Sequence, residues 1–241
     1  MVMVRAKRLR LVDDVRRTLE EAILCGDMRP GDRLPVAQIA EEFNVSLTTV
    51  REALLMLENQ GLVVNRPRQG AFVTRLSGQD AYELCQARAL LESFAVTSGL
   101  DQIDADFIAR LQTLVEEMRA CTLPQDLPSL IRIDLAIHEA IIGLADSQRI
   151  FELWSGLSGQ IGALIMRSTE QQASANSDIV GLHQELVDAL ATGDLDLARH
   201  TIVHHYLRDR SEYGDFADQV IETTDANLAV LAELKQAAQA R

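Results

Sequence analysis

Residues 34 to 74 constrain the fold more than any other stretch of the chain. Leu34-Pro35-Val36-Ala37-Gln38-Ile39-Ala40-Glu41-Glu42-Phe43-Asn44-Val45 reads as a short helix and a turn. Ser46 is a natural N-cap for a further helix from Leu47 to Asn59, which Gly61 ends. A strand pair follows, Leu62 to Asn65 and Ala71 to Thr74, with Arg66-Pro67-Arg68-Gln69-Gly70 at its tip. An amphipathic helix over Leu11 to Cys25 precedes them, with Leu11, Val15, Leu19, Ala22 and Ile23 at helical spacing. Three helices and a basic-tipped hairpin make a winged helix-turn-helix, which presents one helix to the DNA major groove.

That reading assigns contacts. Ser46, Leu47, Thr48, Thr49 and Arg51 occupy the first turns of the third helix, which reach base edges and phosphates. Arg51 suits a bidentate contact to guanine, and the hydroxyls of Ser46, Thr48 and Thr49 suit phosphate oxygens. Arg66, Arg68 and Gln69 at the wing tip suit the adjacent minor groove or its phosphates, and Gly70 permits close backbone approach. Val50, Ala53, Leu54 and Leu57 form the opposite, buried face.

A net charge of -13 is at odds with a DNA binder until its distribution is considered. Residues 1–75 carry 12 Lys/Arg against 10 Asp/Glu, and the remaining 166 carry 11 against 26. The acid lies in the second part, and Arg5, Lys7, Arg8 and Arg10 give the first a basic start. One DNA-facing module and one that phosphate repels are expected, residues 1–76 and 77–241. No apolar run reaches membrane-spanning length, and the start lacks a signal-peptide core. Cys25, Cys85 and Cys121 are far apart and odd in number, which fits a reduced, cytoplasmic setting.

Few aromatics, plentiful Ala and Leu and scarce Pro point to a mostly helical second domain. Helical patterns run over 80–99, 104–121, 128–145, 148–168, 178–192, 194–213 and 216–239, separated chiefly at Thr122 to Pro128 and Thr169 to Ser177. The expectation is an antiparallel α-helical bundle of six to seven helices. The tail from Phe216 is amphipathic and suits its own domain or a partner subunit.

All five histidines follow residue 137. Asp134 and His138 fall on the apolar stripe of Leu130, Ile137, Ile141 and Ile142, four residues apart. His183 lies on the stripe of Ile179, Leu182, Leu186 and Leu190. His205 continues Leu195, Ala198 and Ile202, whereas His200 and His204 are off that stripe. Three helices thus aim imidazole or carboxylate inward. An unpaired buried carboxylate costs several kcal/mol, a cost that a divalent metal removes by taking Asp and neutral His as ligands. The alternative is a set of hydrogen-bonded core histidines with Asp134 paired to one of them. Arg88 is also on an inner stripe and needs an anion, which Glu92, four residues on, or Asp134 could supply.

The N-terminal stretch resembles the winged helix of GntR-family transcription regulators. The matches are Pro30-Gly31, Leu34, Ile39-Ala40, Val45-Ser46, Thr48, Val50-Arg51-Glu52-Ala53-Leu54, Gly61-Leu62-Val63 and Gly70. Leu47 and Thr49 stand where that family usually has Arg and Pro, so the operator cannot be inferred from relatives. Residues from about 80 to 215 resemble the FCD ligand-binding domain of the FadR subfamily. Its metal-binding members carry an Asp, a His four residues on, and two later His, one shortly before a Gly-Asp turn and one twelve residues after its Gly. Asp134, His138, His183, Gly193-Asp194 and His205 reproduce that pattern. The resemblance implies one divalent ion per chain, zinc, nickel or manganese, and a small carboxylate effector held by Arg88. It also implies a homodimer on a near-palindromic double-stranded operator, acting as a repressor. A regulator with a purely structural metal, and a metal-dependent hydrolase, are the competing classes. No nucleophile or separate general base accompanies the cluster, so no enzyme is expected.

Overall fold

The computed structural model of the chain describes residues 2–171 and 175–207, with side chains over 10–166 and 178–207. The first element is α1 (Val2–Leu24), longer at its start than the pattern from Leu11 indicated. The side chains of Arg5, Lys7 and Arg8 lie outside the described residues. Then come β1 (Arg33–Leu34), α2 (Val36–Glu42), α3 (Leu47–Asn59), β2 (Val63–Arg66) and β3 (Gly70–Val73).

Ser46 sets the start of α3, its Oγ accepting a hydrogen bond from the Thr49 backbone N–H at 3.1 Å. Asn44, at φ 50°, makes the α2–α3 turn, and Gly61, at φ 74°, ends α3 with Leu62 N–H donating to the Leu57 carbonyl at 3.0 Å. The strands form an antiparallel sheet in the order β1-β3-β2. β1 was not expected, since two residues of strand have no periodicity of their own. It pairs Arg33 with Phe72 and Leu34 with Ala71. At the wing tip Gln69 N–H donates to the Arg66 carbonyl at 3.0 Å, with Pro67 second and Arg68, at φ 65°, third in the turn.

The remaining described helices are α4 (Gly78–Ser98), α5 (Ala105–Ala120), α6 (Leu127–Gly143), α7 (Gln148–Ser155), α8 (Ser158–Gln171), α9 (Ala175–Ala191) and α10 (Leu195–Leu207). The chain is mostly helical with one small sheet after the helix-turn-helix, as expected. The single helix expected over 148–168 is instead two, parted at Gly156 and Leu157. The positions expected as helix beyond Leu207, including 216–239, lie outside the described residues.

By compactness the described residues fall into two units. The described residues within 1–81, 121–132 and 155–175 form one unit, and those within 82–120, 133–154 and from 176 onward form the other. In the first unit, Val15, Leu19 and Ile23 of α1 are buried with Val50, Ala53 and Leu57 of α3, Ile39 and Val73. In the second, Leu84, Val96, Leu111, Val115, Ile137, Ile141, Val187, Leu190 and Ile202 are core. Among the described residues no helix is long and apolar enough to cross a membrane.

Candidate functional site

The α6 stripe places Asp134 and His138 inward on successive turns, and α9 and α10 add His183 and His205. One ligand atom from each of the four lies within 4.8 Å of the others. His183 Nε2 is 3.0 Å from Asp134 Oδ1, and His138 Nε2 is 3.1 Å from His205 Nε2. The sequence pattern had named all four, and the fold brings all four together. His200 and His204 are exposed, as their place off the stripe required.

The outer bonds fix how the imidazoles present themselves. His138 Nδ1 lies 2.7 Å from Glu92 Oε2, and His183 Nδ1 lies 2.8 Å from the Ile179 carbonyl. Those oxygens only accept, so each Nδ1 carries a hydrogen; a neutral ring then turns its Nε2 lone pair to the cluster, whereas a protonated His183 donates Nε2–H to Asp134. Between the Nε2 atoms of His138 and His205, either His205 donates a proton or a cation sits at their meeting point.

Without a cation, Asp134 and His183 pair: burial opposes charge on His183, but the Asp134 carboxylate raises its pKa above the ordinary value. Burial disfavours the Asp134 carboxylate, but its contact with His183 and the fields of His183, His138 and His205 outweigh burial and hold it far below the usual carboxylate range. Burial, then the neighbouring His183 and His138, push the His205 imidazole well below its ordinary value, so it is neutral and able to ligate. Among the described residues, Asp134 Oδ2 is buried with no hydrogen-bond partner, which costs about 1–3 kcal/mol if left so. Nitrogen and oxygen ligands about 2.0–2.2 Å from a divalent ion lie about 3–4.4 Å from each other. The four residues therefore fit such an ion in donor type, and their spread of up to 4.8 Å exceeds that range only slightly.

From sequence Glu92 is only a neighbour for Arg88, but the fold gives it a larger part. It is fully buried and joins four side chains. Oε2 takes His138. Oε1 accepts from Trp154 Nε1 at 2.8 Å and the Tyr206 hydroxyl at 2.7 Å, and lies 3.1 Å from Arg88 Nε. Burial would raise its pKa, yet His138 and Arg88, with the hydrogen bonds, hold it below its ordinary value. Such carboxylate–histidine contacts orient metal ligands. Arg88 itself is 0% exposed, donates to the Tyr206 hydroxyl at 3.2 Å and stacks 4.1 Å over the Trp154 ring. Of the two expected partners for Arg88, the structure supplies the neighbouring carboxylate. Burial opposes its charge, but Tyr206 and Glu92 raise its pKa further. Tyr206 follows His205 directly, but neither it nor Trp154 carries a local signal of this role.

On the other candidate surface, Ser46, Leu47, Thr48 and Arg51 are exposed, as are Arg66, Arg68, Gln69 and Gly70. The Arg66 guanidinium lies 4.6 Å over the Phe72 ring. Thr49 departs from expectation. It is 4% exposed and its hydroxyl lies 2.8 Å from the Ser46 hydroxyl. Thr49 thus completes the helix cap and does not offer its hydroxyl outward, because position three of the first turn faces the core.

The FCD domain family matches residues 83–208, and the gntR family of bacterial regulatory proteins matches residues 11–73. The Uxu operon transcriptional regulator of Escherichia coli (strain K12) is 30% identical over 227 residues, covering 85% of this chain and 87% of that protein. The gluconate operon transcriptional repressor of Bacillus subtilis (strain 168) is 29% identical over 181 residues, 73% of this chain and 74% of that one. The solved structure of Escherichia coli McbR/YncC shares the fold, with a TM-score of 0.65 and 22% identity over 83% of this chain and 94% of that one. The family model and the two relatives are named as transcription regulators.

Proposed function

The chain belongs to the GntR family of DNA-binding transcription regulators and carries an FCD domain, and from that premise we propose that it is a metal-dependent repressor answering to a small organic or sugar acid. The observation that carries the metal is the Asp134, His138, His183 and His205 cluster, with its buried, unpartnered Asp134 oxygen. One divalent ion per chain, zinc first and nickel or manganese next, would be held by those four residues. Held there, the ion would supply a Lewis-acidic position that a carboxylate could complete. The names of the Uxu and gluconate regulators favour a sugar acid as that carboxylate.

Residues 1–76 form the operator-binding module and 77–241 the metal, effector and dimerisation module. DNA is read by Ser46, Leu47, Thr48 and Arg51 of α3 and by Arg66, Arg68, Gln69 and Gly70 of the wing. One recognition helix covers only a few base pairs, so a homodimer on a near-palindromic site supplies the specificity. A protein whose operator is chromosomal works in the cytoplasm.

Arg88 remains the effector anchor in this reading, and an effector carboxylate that reaches it competes with Glu92. The Arg88–Glu92 pair favours a second reading, in which the metal is structural and no small molecule binds. A thermal-shift screen of hydroxy acids, sugar acids and dicarboxylates decides. An acid that stabilises the metal-loaded protein, and no longer does so after chelation, supports the effector. No stabilisation by any acid leaves the structural metal.

A further inference from the structure

We propose that Leu47 reads the 5-methyl group of a thymine in each operator half-site, a proposal that rests on α3 being the recognition helix. Leu47 is the first residue of α3 and is 46% exposed. The leucines of the opposite face, Leu54 and Leu57, are buried. Leu47 and Thr48 lie four and three residues before Arg51, so the three share one outward face. An apolar side chain there gains nothing from water or phosphate.

The polar groups around it are committed elsewhere. Ser46 Oγ accepts the Thr49 N–H and meets the Thr49 hydroxyl, and Thr49 is buried. Among the described residues of this turn, Thr48 carries the exposed hydroxyl not engaged in the cap and Leu47 the exposed apolar surface. The surroundings are chosen for a polyanion: Arg51 on the same face, and Arg66 and Arg68 exposed on the wing. Along the base edges of the major groove, the apolar feature is the thymine methyl, and small apolar side chains contact it. A leucine makes no hydrogen bond and carries no charge. Its contribution is therefore specific to the base and independent of salt, whereas that of the arginines is not.

The test selects a preferred duplex from a random library with the wild-type protein, then replaces each thymine by deoxyuridine, one at a time. Loss of one methyl is expected to weaken wild-type binding about three- to tenfold at one position per half-site. Leu47→Ala should bind the selected duplex with an unchanged slope of log affinity against log salt and be indifferent to that same replacement. No thymine position with an effect, or an equal effect in Leu47→Ala, overturns the proposal. Failure of the underlying reading looks different: no duplex is enriched, or Arg51→Ala leaves the ratio of selected to random DNA unchanged. In either of those outcomes both readings fall.

Discussion

On the outer side of α3, Thr48 and Arg51 leave their polar atoms to solvent, whereas Glu92, Asp134, His138 and His183 are buried and direct theirs at one another. The first arrangement costs little to hold, because water satisfies each group until DNA replaces it. The second is held by mutual satisfaction: Glu92 alone takes His138, Trp154, Tyr206 and Arg88. A surface awaiting a polyanion can therefore change residue by residue with the fold intact. A buried polar network cannot, since removing one member leaves the others uncompensated.

The contrast is sharpest at Glu92. Glu92→Ala should cost about 3–5 kcal/mol of stability in denaturant unfolding, since Arg88 and His138 lose their buried partner. A loss under about 1 kcal/mol would mean that the network is not what holds this part of the bundle. Arg51→Ala should move a different quantity. Specific binding should weaken by about 1–3 kcal/mol, measured by gel shift against random DNA, with stability unchanged because the side chain is exposed.

Ser46→Ala tests where the two kinds of region meet. Ser46 is exposed on the DNA side but its hydroxyl caps α3. About 1 kcal/mol of stability should go with the cap, in thermal or chemical unfolding. Full stability together with weakened DNA binding would make Ser46 a DNA contact and not the cap. The smallest effect on the fold is expected at the wing. Arg66→Ala with Arg68→Ala should leave stability alone, weaken specific and non-specific binding together, and reduce the salt slope by roughly one to two phosphate contacts. An unchanged slope would take the wing off the backbone.

The same contrast governs what could be read from the residues in order. The helix α3, its Ser46 cap and the hairpin are local, so their signals lie within a few residues of each other and agree with the structure almost to the residue. The four metal-ligand candidates were legible for a subtler reason: each is a polar residue on an apolar stripe, and helical periodicity alone marks it as inward. Glu92 lies on such a stripe too, but four residues from Arg88 it read as half of a simple pair. Its bonds to His138, Trp154 and Tyr206 span 46, 62 and 114 residues, which no local pattern encodes. β1 escaped for the same reason, having only its pairing with β3 to define it. The break between α7 and α8 escaped because the apolar pattern continues across Gly156 and Leu157. Thr49 was misplaced because its residue type suits phosphate while its position faces the core.

The central claim is that the buried cluster is a metal site made by Asp134, His138, His183 and His205. Elemental analysis of purified wild type, His205→Ala and His204→Ala tests it most directly. The two histidines are adjacent in sequence, yet His205 reaches His138 at 3.1 Å and His204 is exposed. Wild type and His204→Ala should carry about one divalent ion per chain, and His205→Ala should lose most of it. Chelation should lower the melting temperature of wild type and leave that of His205→Ala nearly unmoved. A wild-type protein without a divalent ion, or equal losses in the two variants, would contradict the site.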